Sequence, residues 1–189
     1  MAKEMQRVED IQRKLDRAVE NINADLDLKD ESKARMIKDV YSEARSEAIQ
    51  QAEAEKEDLL IELKIARRKA FAPPVLQDVD GRKPDAVTIQ QAYMRAYEKL
   101  EDVRDPEEIL QRLQKADLLN DPFTAKACLV RGYELGNSTI VGRYFESMPD
   151  ERPFWDDFTA AAEAYNEHER GMSFFSASSR LRPLESYLA

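Results

Sequence analysis

The first 72 residues contain neither proline nor glycine; the earliest of each are Pro73 and Gly81. A stretch of that length without a strong breaker is expected to be helical almost throughout. Within it Val8, Ile11, Leu15, Ala18 and Ile22 advance by three, four, three and four, an a/d seam of about two heptads. The seam fails in NADLDLKDES, residues 23–32, where Asn23, Asp25, Asp27 and Asp30 carry side chains that compete with helical backbone bonds. A reversal there gives a lopsided hairpin, with helices over about residues 2–23 and 31–70 that are roughly 33 and 60 Å long. Without the reversal, the segment is a single helix of about 100 Å, stable only in an oligomer. Asp30 and Glu31 suit the positive end of the second helix, and Lys64, Arg67, Arg68 and Lys69 its negative end.

Folded back, the first helix covers the second only to about residue 53, along Val40, Tyr41, Ala44, Ala48 and Ala52. Beyond lies EDLLIELKIARRKA, with Leu59, Leu60, Ile61, Leu63 and Ile65. Leaving four or five such side chains in water forfeits about 6–15 kcal/mol, so some surface must cover them: the rest of the chain, a second copy or another protein. Leu59, Leu60 and Leu63 are therefore expected to bind a partner.

Pro73-Pro74 stops the long helix, because the ring removes a donor and pushes the preceding residue out of the α region. Further punctuation follows. Asp105-Pro106 and Asp121-Pro122 place a capping carboxylate before an N1 proline, Gly136 suits a helix C′ position, and Arg152-Pro153 and Gly171 bracket another segment. These signals predict helices over about 86–103, 106–118, 122–135, 138–148 and 153–169. The expected fold is all-α: an N-terminal long helical hairpin or coiled coil (1–72), a Pro-rich hinge (73–85), a small helical bundle (86–170) and a docking tail (171–189). The bundle core is expected from Tyr93, Tyr97, Leu100, Ile109, Leu113, Leu129, Val130, Tyr133, Val141, Phe145, Trp155, Phe158 and Tyr165.

Several chemistries lack their residues. His168 stands alone in the charged stretch NEHERG and reads as a solvated residue near a helix end. Cys128 falls on an apolar helix face and reads as structural. One cysteine and one histidine cannot build a zinc site; a calcium loop begun at Asn23 or Asp25 lacks both the glycine and the glutamate it needs, and DVDG at 78–81 fails because the twelfth residue would be Val87. The five glycines form no phosphate-cradling loop. No enzyme class, metal or cofactor is supported.

The stretch GYELGNSTIVGRYF, residues 132–145, has the outline of a DNA-reading helix-turn-helix, with Arg131, Ser138, Thr139 and Arg143 as its contacting residues. Three features oppose it. Asn137 stands where an apolar residue usually follows the turn glycine, Gly142 where a branched apolar residue usually packs, and residues 121–148 carry three basic and three acidic side chains. The whole chain has net charge −9, with 15 basic against 17 acidic residues before position 71 and 14 against 21 after it, so its average surface repels a polyanion. A DNA-binding regulator using residues 122–148 is the alternative reading.

The last segment, MSFFSASSRLRPLESYLA, sets Phe174, Phe175, Leu181, Leu184 and Tyr187 among serines, which suits docking either on the same chain or in a partner's groove. The favoured reading is a non-enzymatic helical interaction or assembly protein that meets a protein partner, or copies of itself, through its N-terminal helices. In layout alone this is similar to virus-type scaffolding or head-assembly factors. No apolar run of signal or membrane-span length opens the chain, so a cytoplasmic setting, or one inside an assembly such as a virion, is expected.

Overall fold

The computed structural model describes residues 2–74, 85–171 and 181–188. All regular structure among them is helical: α1 (Ala2–Ala24), α2 (Asp30–Ala70), α3 (Ala86–Glu98), α4 (Pro106–Leu118), α5 (Pro122–Glu134), α6 (Ser138–Ser147), a 3-10 turn (Pro149–Glu151), α7 (Arg152–Gly171) and α8 (Glu185–Leu188). Most of the expected hinge lies outside the described residues. By internal contacts the chain forms two compact units, Met1–Leu63 with Ala160–Ala189, and Lys64–Thr159.

In the first unit the reversal is present. The Asp27 N–H donates to the Asp25 carboxylate at 2.9 Å, an Asx turn that replaces helical bonding, and Lys33 Nζ of α2 donates to the Asn23 carbonyl in the last turn of α1 at 2.9 Å. α1 and α2 then pack closely along Ile11, Leu15, Val19 and Ile22 against Ile37, Ala44 and Ala48. The expected register is corrected by one position: Val19 is buried and Ala18 only half-buried, because the contact advances by four, four and three. His168 also differs from expectation. It is 7% exposed, with Nε2 at 3.2 Å from the Ala52 carbonyl, because the last turns of α7 pack against α2 in this unit.

The second unit is built from short helices closed at their starts by side chains. Asp85, Asp105, Asp121 and Asn137 each accept from a backbone N–H at the start of α3, α4, α5 and α6, and the last three recur every sixteen residues. The joints between α4, α5 and α6 share one design. Asn120 (φ 50°) and Gly136 (φ 65°) take the left-handed conformation, and the N–H of Asp121 reaches the Ala116 carbonyl as that of Asn137 reaches Gly132. Each is a Schellman closure whose final residue also caps the next helix. At Gly132 an added Cβ would lie 2.5 Å from Ile140 Cγ2, so glycine is what lets α6 lie against α5.

α3 ends at Glu98 rather than near 103, because the chain turns there to bury Leu100; the Lys99 and Val103 carbonyls left open accept from Arg112 and Arg131, each at 2.8 Å. Ile109, Leu113, Ala125, Ala127, Cys128, Leu129 and Ile140 are fully buried at the centre.

Candidate interaction surfaces

Three places in the molecule combine exposed or buried features in ways that bear on function. The first is a clasp in the hairpin unit. Leu181 is 2% exposed within the α1–α2 core, and Leu184 and Tyr187 pack beside it. Around these anchors the Tyr187 hydroxyl donates to Asp16 at 2.7 Å and is also met by Gln12. The Arg182 N–H donates to Gln12 Oε1 at 2.9 Å, and the Arg182 guanidinium lies 3.6 Å from Asp16. The described part of the tail therefore docks on its own chain, while Phe174 and Phe175 lie outside the described residues. Leu59, Leu60 and Leu63 are half-buried on α2, neither wetted on all sides nor fully enclosed.

The second is a cleft of about 520 Å³ in the Lys64–Thr159 unit, with Lys64, Arg67 and Arg68 on one wall and Phe71, Tyr133 and Glu134 among its other lining residues. Tyr133, expected in the core, is 41% exposed there. Its ring is nevertheless fixed, with centroids 5.3 Å from Phe71, 5.5 Å from Trp155 and 5.4 Å from Phe158. Glu134 is engaged by the Tyr97 hydroxyl at 2.6 Å and by Arg131 at 3.0 Å. Donating to Glu134, together with partial burial, pushes the Tyr97 phenol up to about 12.

The third is a buried polar cluster bordering another cleft of about 520 Å³ in the same unit. Lys126 is 3% exposed, paired with Glu151, and its ammonium lies 5.6 Å from the centre of the Tyr144 ring. The Tyr144 hydroxyl donates to the same Glu151 oxygen at 2.7 Å, and burial pushes that phenol far above its usual range. Nothing in the sequence distinguishes Lys126 from the other lysines. Its only signal is its place on α5, where Ala125, Ala127, Cys128 and Leu129 leave no polar face for several positions. Cys128 itself is fully buried and its thiol is pushed up to about 12 by that burial, so it stays protonated at neutral pH.

The residues expected to touch DNA are not gathered as free donors. Arg131 spends its guanidinium on Val103 and Glu134, and Arg143 pairs with Glu146; Ser138 and Thr139 are exposed at the start of α6. Among the described residues no three of His, Cys, Asp and Glu converge to hold a metal ion, and no helix is long and apolar enough to cross a membrane. The chain matches no protein-family model, no curated protein and no solved structure.

Proposed function

We propose that the protein works by holding another protein through its helices, as an assembly component of the kind that virus-type scaffolding factors represent, and that the α1–α2 hairpin is one recognition surface. The observation that supports this is the clasp. A groove that accepts the short stretch LRPLESYL through one buried leucine, a second apolar anchor and a tyrosine pinned at its hydroxyl is selective for a segment, not merely covered by one. The same segment from a second copy satisfies the same contacts, so closure within one chain and exchange between chains are alternative states of one interface. Coiled-coil pairing of the N-terminal helices between copies extends the same scheme.

Size exclusion with light scattering tests it. Wild-type protein is expected to rise above the 21.8 kDa of a single chain as concentration increases, and Leu181→Ala/Tyr187→Ala is expected to abolish the rise while its vacated hairpin binds a labelled 181–188 peptide. A protein that stays monomeric at every concentration, and whose vacated hairpin ignores the peptide, would refute the reading.

A further inference from the structure

The cleft beside Tyr133 is separate from the clasp and lies wholly within Lys64–Thr159. Basic residues in a last helical turn commonly answer the closing carbonyls of that helix. Here they do not. Lys64 lies more than a turn before the end of α2, and among the described residues Lys64, Arg67 and Arg68 make neither an ion pair nor a side-chain hydrogen bond. Steps of three and four put the three cations on one face, over roughly 6 Å of helix. Arg67 additionally sits over the Phe71 ring, with its guanidinium carbon 6.0 Å from the ring centre. Beside this wall stands an exposed tyrosine ring that is held by three aromatic neighbours, so it offers apolar area at little entropic cost on binding.

We infer that this cleft binds an acidic segment of a protein partner, with carboxylates on Lys64, Arg67 and Arg68 and one aromatic side chain on Phe71 and Tyr133. Charge complementarity selects the occupant: three cations with no ion pair among the described residues are grouped in a chain of net charge −9, and the acid that also lines the cleft, Glu134, is already engaged. The extent of the positive wall selects protein over nucleic acid. Duplex binding typically neutralises about six to ten phosphates, whereas this wall offers three charges. In an extended peptide, alternate residues share a face and lie roughly 6.5 Å apart, which matches the reach of the wall. The expected pattern is thus two acidic residues at alternate positions with an aromatic two positions further on.

The test uses the full chain and a fluorescein-labelled peptide, Gly-Glu-Ser-Glu-Ser-Phe-Ser-Gly, followed by anisotropy. Trp155, the only tryptophan and 5.5 Å from the Tyr133 ring, reports by its emission whether binding occurs at this cleft. Saturable binding is expected, weakened about tenfold or more by Arg67→Gln/Arg68→Gln and by Tyr133→Ala, and lost at about 1 M salt, where the screening length falls to about 3 Å. Far-UV circular dichroism of the glutamine variant, whose substitutions are exposed and helix-compatible, separates loss of binding from loss of fold. The inference is overturned if a peptide with lysines in place of the glutamates binds equally well, if the glutamine variant binds like wild type, or if oligo-dT of about twenty nucleotides binds more tightly than the peptide. None of these outcomes touches the tail-dependent association above.

Discussion

The two compact units solve the same problem with different means. The Lys64–Thr159 unit uses helices of ten to thirteen residues from α3 to α6, too short to be stable alone, and fastens them by side-chain caps and by residues with no exposed surface at all. The hairpin unit uses the 23-residue α1 and most of the 41-residue α2, and its seam sets the larger side chains Ile11, Leu15, Val19 and Ile22 of α1 against Ile37 and the small Ala44 and Ala48 of α2. Short helices need their ends tied; long ones spread the same stabilisation over many modest contacts.

Substitutions probe how deep this difference runs. The largest effect is expected at Leu113, fully enclosed in the capped unit: Leu113→Ala should cost about 4–5 kcal/mol, against about 2–3 for Leu15→Ala in the hairpin, measured by urea unfolding. Equal losses would mean that the two cores are equally tight. Next is Glu151→Gln, which strips Lys126 and Tyr144 of their carboxylate. Because Glu151 keeps 23% exposure, the cost is expected at about 2–3 kcal/mol, below that of a wholly enclosed pair, with Trp155 emission following the unfolding of that unit. The smallest effects come from two glycines ten residues apart. Gly132→Ala pushes against Ile140 and should cost about 1–3 kcal/mol, whereas Gly142→Ala meets open space in a helix and should add about 0.5–1 kcal/mol, both by thermal melting. Were Gly132→Ala neutral, the close approach of α5 and α6 would not be what holds the capped unit together.

Helix limits were nearly all legible in the chain, because Pro106, Pro122, Gly136 and the aspartates before the prolines act through local backbone geometry. The turn between α1 and α2 was legible only as one of two alternatives, because Asn23, Asp25, Asp27 and Asp30 weaken helical bonding without forbidding it. Facing was less so. Ala18 and Val19 both fit a helical stripe, and only the packed partner decides between them. Tyr133 carries every mark of a core residue, yet it is 41% exposed and lines a cleft. Lys126 and His168 look like solvated charges in the sequence, and both are buried because neighbours distant in the chain close over them: Glu151 and Tyr144 for one, the α2 backbone for the other.

By itself, then, the sequence determined that this chain is helical, where most of its helices start and stop, and which general chemistries lack their residues. These are consequences of single-residue backbone preferences and of composition, which act over a few positions. Tertiary structure alone decided that Leu181 and Tyr187 return to the hairpin, that Lys126 is enclosed with its carboxylate, and that Lys64, Arg67 and Arg68 line one cleft with a fixed aromatic ring. Those outcomes depend on which surfaces meet across long separations in the chain, and burial and pairing energies, unlike dihedral preferences, exist only once the surfaces have met.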